Sequence, residues 1–132
     1  MTRRLRLTKS EKIEKEATDA MKTAAIKSEE VQELFDYWVS VHKADSKRKP
    51  LLDVKRRKLL AISLYDYDME YCKQAIDGCA NSHFHMGQNN RAKIYNSLEL
   101  IFRDSSTIER FAGYMEWRTT NQNQSATAYG RR

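Results

Sequence analysis

Residue types suited to chemistry concentrate in two places along this chain. Lys43, Lys47, Arg48, Lys49, Lys55, Arg56, Arg57 and Lys58 fall within sixteen residues, against only Asp45 and Asp53. The local excess of six positive charges equals the formal net charge of the whole chain, +6. The rest of the sequence is therefore near balance, and the positive potential belongs to one loop and one helix start. Lys and Arg at this density neutralise phosphates and release their condensed counterions. Cations at a helix N-terminus oppose the helix dipole, so they do not serve the helix that carries them. The plainer alternative is a solvated basic face. Phosphate contacts position a nucleic acid without reading its bases, so Lys47, Arg48, Lys49, Lys55, Arg56, Arg57 and Lys58 point to nucleic acid in general and to no particular sequence.

The second place is residues 81–91, Asn-Ser-His-Phe-His-Met-Gly-Gln-Asn-Asn-Arg. The stretch has no helical period and is rich in Gly, Asn and His. Its polar side chains suit base edges or phosphates, and Phe84 suits stacking on a base. His83, Phe84, His85, Asn89, Arg91 and Lys93 are the candidate contacts. The alternative is an ordered loop in which Phe84 and Met86 plug the core while His85 and Asn89 satisfy the loop backbone. Both readings stand on sequence alone.

Cys72, Cys79, His83 and His85 raise the question of zinc. Their spacing, C-x6-C-x3-H-x-H, departs from the C-x2-4-C and H-x3-5-H pairs of structural zinc sites. Seven helical residues span about 10.5 Å along the axis, beyond disulfide reach. Both cysteines fit the apolar face of one helix, where free Cys behaves as a small hydrophobe. They are read as reduced core thiols in a cytosolic setting, and neither a metal nor another cofactor is expected. Catalysis is not expected either. Asp66 and Asp68 are better explained as turn and cap residues than as a carboxylate pair. The histidines lack the β-hairpin of an HNH site, and no phosphate-binding Gly loop of Walker type is present.

Helices must position these residues. Four glycines and one proline in 132 residues leave few breakers, which favours an all-α fold in a single domain of this length. Residues 1–8 read as a basic arm. From Thr8 to about Lys27 runs a polar helix whose apolar stripe is thin: Ile13, Ala17, Met21, Ala24, Ala25. Such a stripe calls for a partner or a second copy, so residues 8–27 are a candidate for homo-oligomerisation. Ser28 with Glu29 and Glu30 reads as the next helix start. Val31, Leu34, Phe35, Trp38, Val39 and His42 follow at helical spacing. Residues 44–50 form a loop, and Asp53 caps a helix carrying Val54, Leu59, Leu60, Ile62, Ser63 and Leu64. Residues 65–68 read as a turn with Asp68 as the cap of a fourth helix, whose face holds Met69, Cys72, Ala75, Ile76 and Cys79. A short helix through Tyr95, Leu98, Ile101 and Phe102 follows. The last helix is capped by Asp104 or Ser105, carries Ile108, Phe111, Ala112 and Met115, and is expected to end near Trp117. The tail from Arg118 is rich in Thr, Asn, Gln and Ser and is expected to be disordered. The layout is thus residues 1–27 as arm and polar helix, 28–117 as a compact bundle of four to five short helices, and 118–132 as tail. Phe35, Trp38, Phe102 and Phe111 keep helical spacing and belong to the core. Trp117 and Tyr129 fall outside it and are candidates for a partner contact. No apolar run approaches membrane-spanning length, and the N-terminus lacks an apolar signal core.

Residues 71–90, with Phe84-His85-Met86-Gly87 and Asn89 at their centre, lead into Tyr95, then Leu98-Glu99-Leu100-Ile101, Arg103-Asp104 and Ile108-Glu109-Arg110-Phe111. Together with residues 31–38 and Lys55-Arg56-Arg57-Lys58, this order resembles the C-terminal module of phage and prophage replication proteins, over roughly residues 29–115. The resemblance implies a helical module of replisome organisers of the lambda O or DnaD-like kind, which bind origin or single-stranded DNA and help recruit the replicative helicase or its loader. It places the chain in the cytoplasm of a bacterial host. The winged-helix origin-binding domain that usually precedes this module is not expected in residues 1–28, which are too short to hold one. The expected role is therefore a DNA-binding accessory in phage-type replication. The alternative is a protein-interaction module that recruits or inhibits a helicase or helicase loader.

Overall fold

A computed structural model describes residues 8–125 of the chain. Six helices run in order: α1 (Lys9–Ala25), α2 (Ser28–His42), α3 (Val54–Asp66), α4 (Met69–Ala80), α5 (Leu98–Ile101) and α6 (Ser105–Ser125). The described residues hold no strand, only an isolated bridge between Met86 and Ile94. The protein is all-α, a polar N-terminal helix followed by a bundle of five. Among the described residues no helix is long and apolar enough to cross a membrane.

Side chains set most of the helix starts. Thr8 and Glu11 form a reciprocal capping box at α1, with Glu11 N–H donating to Thr8 Oγ1 at 3.1 Å and Thr8 N–H to Glu11 Oε1 at 2.8 Å. Asp53 accepts from Arg56 N–H at 2.9 Å, Asp68 from Tyr71 N–H at 2.8 Å and Asp104 from Thr107 N–H at 2.9 Å. The Thr107 hydroxyl and N–H hold the Asp104 carboxyl down at about 2. Ser28 departs from expectation. It is the first helical residue rather than the cap, Lys27 holds the cap position, and Glu30 accepts the Lys27 N–H at 3.4 Å.

Packing follows the order α6, α4, α2, α3, α1, each helix against the next, with α5 beneath α6. Gly78 sits where α4 crosses α6. A Cβ there would overlap the Phe111 carbonyl oxygen, so only glycine permits this approach. Trp38, Phe102, Phe111, Leu34, Leu60 and Ile76 are fully buried between these layers. Cys72 and Cys79 join them as free thiols, and burial pushes both up to about 12. Their S–H groups face the Ser63 and Tyr95 carbonyls, each at 3.6 Å. Tyr37 ties α2 to α4 by donating to both Asp77 carboxylate oxygens, at 2.7 and 3.0 Å.

Two elements differ from expectation. The last helix does not stop near Trp117 but continues to Ser125; Thr, Asn, Gln and Ser have modest helix propensity, not prohibitive cost. Residues 126–132, including Tyr129, lie outside the described residues, as does the side chain of Trp117. The second is the short helix, which spans only Leu98–Ile101 and leaves Tyr95 and Phe102 outside it. The thin stripe of α1 finds no cover within the described residues. Ile13 is 61% exposed and Met21 50%, with Ala17, Ala24 and Ala25 exposed beside them, and no α1 residue is buried. The helix docks on α3 through polar groups instead. Lys22 Nζ donates to Asp66 Oδ1 at 2.7 Å and lies 5.6 Å from the Tyr65 ring centre. Ile26, just past the helix, is what reaches the core.

Candidate nucleic-acid interface

The basic segment divides into free and committed cations. Lys47, Arg48, Lys49, Lys55, Arg57 and Lys58 are exposed, and none of their side chains makes a hydrogen bond or ion pair to another described residue. Their extension has a cause: Lys47, Arg48 and Lys49 stand in a loop closed by Pro50, while the others ring the first turns of α3, where Val54 is itself 81% exposed. Leu51, 72% exposed, lies between the two groups.

Arg56 belongs to the fold. Its Nε–H donates to Glu99 Oε2 at 2.9 Å, its Nη1 to the Leu51 carbonyl at 2.7 Å, and its guanidinium carbon lies 5.7 Å from the Trp38 ring centre. A residue grouped with the phosphate contacts by charge alone thus joins α3 to α5 and roofs the buried indole. Lys43 covers the same ring at 5.7 Å and reaches Asn96 Oδ1 at 3.4 Å.

Asn96 organises the seam below. It is nearly buried, at 6% exposure. Its carbonyl accepts the Trp38 indole N–H at 3.0 Å, and its Nδ2 donates to His42 Nδ1 at 3.0 Å. The His42 Nε2–H then donates to the Ile76 carbonyl at 3.0 Å. These two bonds fix the neutral tautomer, and burial lowers the His42 pKa below its ordinary value.

The polar loop connects α4 to this seam. Gly87 at φ +112° and Ala92 at φ +48° turn the chain, and the Tyr95 N–H returns to the His85 carbonyl at 2.6 Å. Glycine meets the first conformation without strain; Ala92 in the left-handed region carries a steric cost of roughly 1–2 kcal/mol. Asn89 builds the loop: its Nδ2 donates to the Phe84 and Lys93 carbonyls, both at 2.7 Å, and its Oδ1 accepts from Arg91 N–H at 3.0 Å and Lys93 N–H at 3.2 Å. Both donors and both lone pairs are used, so Asn89 satisfies loop backbone and offers no free edge to a ligand. His85 is also turned inward. Its Nδ1 pairs with Ser82 Oγ at 2.7 Å, its ring meets Phe111 edge-on at 4.8 Å, and burial, aided by Arg110, lowers its pKa. His83 is exposed.

Phe84 does not plug the core. It is 55% exposed and stacks near-parallel on Tyr95, centres 6.0 Å apart and planes 15° off. Phe84, Gln88, Asn89, Asn90, Arg91 and Tyr95 line a cavity of about 400 Å³. Lys93 lies over the Tyr95 ring at 5.9 Å. Tyr95, Gln88 and Asn90 thereby join the set that sequence reasoning had assembled around Phe84 and Arg91. A second concavity, of about 350 Å³ at Tyr67, Asp68, Glu70, Tyr71 and Gln74, carries carboxylates and is unsuited to phosphate. Among the described residues no three His, Cys, Asp or Glu side chains gather where they could hold a metal ion.

These features define a small helical protein with an aromatic-floored polar pocket and a basic segment, the latter tied by Lys43 and Arg56 to Asn96 and Glu99 in the chain that follows the pocket's Tyr95. No protein-family model matches the chain, and no curated protein and no solved structure matches it either.

Proposed function

We propose that this protein is a DNA-binding accessory of phage-type DNA replication, holding the phosphate backbone with the basic loop and the start of α3. The observation that carries the reading is the set of six exposed cations, Lys47, Arg48, Lys49, Lys55, Arg57 and Lys58, none paired with another described residue. Unpaired cations on one continuous segment are repelled by one another and gain from a polyanion. The replication context rests on the resemblance to the phage replication module read from the sequence over roughly residues 29–115.

A salt titration with single-stranded, duplex and forked DNA tests the reading. Log affinity should fall linearly with log salt, by about 0.9 per phosphate contacted on duplex and about 0.7 on a single strand. Replacing Lys47, Arg48 and Lys49 by Ala should flatten that line on the bound substrate. Affinity independent of salt would overturn the reading.

A second reading is favoured by α1. Its apolar stripe of Ile13, Ala17 and Met21 faces outward although the helix is docked. That stripe suits a helicase, its loader or a second copy, and makes α1 the recruiting element of the same accessory. Deleting residues 1–27 should then abolish partner or dimer formation and leave DNA binding intact.

A further inference from the structure

We infer that the cavity beside Phe84 takes one unpaired nucleobase, stacked on the open face of the Phe84 ring, so that this site reads strandedness. The inference rests on the nucleic-acid reading above and deepens it. At about 400 Å³ the cavity is within the size range of small-ligand sites. Its floor is aromatic and its rim is polar and cationic, the combination that unpaired bases require.

The ring geometry fixes where the base goes. A base slipped between Phe84 and Tyr95 would need about 6.8 Å, twice the stacking spacing of 3.4 Å. The centres are 6.0 Å apart and the planes 15° off, so the ring planes stand no more than 6.0 Å apart and no base fits between them. The outer face of Phe84 remains open, with over half of the residue exposed. Tyr95 beneath is braced by Lys93 and by its N–H bond to His85.

The amides divide the remaining work. Asn89 is spent on the loop, whereas the side chains of Gln88 and Asn90 are exposed at the rim and make no hydrogen bond to another described residue. Each offers a donor pair and an acceptor, which suits the Watson–Crick edge of a base. Arg91 on the same rim and Lys93 beside it supply charge for the flanking phosphates. A paired base hides that edge and both faces, and extracting it from a duplex costs a few kcal/mol. An unpaired base pays no such cost.

The test compares a labelled twenty-nucleotide thymidine strand, the same backbone with abasic sites throughout, and a duplex of equal length, each titrated with the full chain by fluorescence anisotropy. The thymidine strand should bind roughly tenfold tighter than the abasic one, as stacking on an aromatic side chain predicts. Phe84→Ala should erase that difference without changing abasic affinity. Because Phe84 is exposed, its thermal melt should match the parent's. Gln88→Ala with Asn90→Ala, both on the surface, gives a second route and should narrow the difference. Equal binding of the thymidine and abasic strands with the salt slope intact would overturn the base site and leave phosphate binding standing. No binding of any strand at low salt would overturn both.

Discussion

Arg56 is bound to Glu99 across forty-three residues of sequence, Nε to Oε2 at 2.9 Å, with its guanidinium over the Trp38 ring. A cation already paired in this way gains less from a phosphate than its free neighbours do. Arg56→Ala should therefore lower stability by about 1–2 kcal/mol, the sum of a half-exposed ion pair, a carbonyl hydrogen bond and a cation–π contact. It should leave the salt slope nearly unchanged. Arg57→Ala should do the opposite, reducing the slope by about one on duplex with little effect on melting. Urea denaturation and salt titration of the two variants check both halves. Equal loss of slope in both would return Arg56 to the interface.

Gly78 and Gly113 should respond to alanine with opposite signs. At Gly78 the new methyl would overlap the Phe111 backbone, which no rotamer change relieves. The crossing of α4 and α6 must open, at a cost of about 3 kcal/mol. At Gly113, inside α6, nothing lies within 4 Å of the added atom, so Gly113→Ala should stabilise by about 0.5–1 kcal/mol. Denaturation midpoints decide the matter.

Stability should fall as pH drops below about 6.5, the ordinary histidine value. His42 and His85 both have pKa values lowered by burial. Below 6.5 the unfolded chain takes up protons on these rings that the folded chain resists, so acid favours unfolding until the folded-state values are passed. Above 6.5 both states are neutral and the contribution is constant. Denaturant midpoints at successive pH values should show this decline, and proton NMR should place the His42 ring midpoint below that of a model imidazole. A flat midpoint from pH 7.5 to 5.5 would contradict it.

Ile13→Ser with Met21→Ser should leave the monomer's stability within about 0.5 kcal/mol, since neither side chain is buried. The same pair should weaken any self-association or partner capture that runs through α1. Urea denaturation of the parent and the double variant reads the first effect, and sedimentation reads the second.

The bundle was legible because core periodicity and caps are local signals. Val31, Leu34, Phe35 and Trp38 repeat at helical spacing and are buried together, and Asp53, Asp68 and Asp104 cap the helices that follow them. What escaped the sequence is set by distant partners. Arg56 looks like its neighbours until Glu99 and Trp38 arrive from elsewhere in the chain. The α1 stripe was legible as too thin to bury, but its docking on α3 through the Lys22–Asp66 pair depends on a partner forty-four residues away. Tyr95 was read as part of the short helix that follows, and only the return of the chain to His85 places it beside Phe84. Asn89 and Phe84 divided between the two readings of their loop, one building it and the other standing open.

Trp38 is sealed from solvent with Lys43 and Arg56 above its ring and its N–H fixed on Asn96. An indole so placed senses the electric field of those two cations directly. Its emission colour is therefore a built-in optical gauge of the seam. With the other of the chain's two tryptophans, Trp117, replaced by Phe, the protein would signal through its own light when a polyanion draws Lys43 away from the ring.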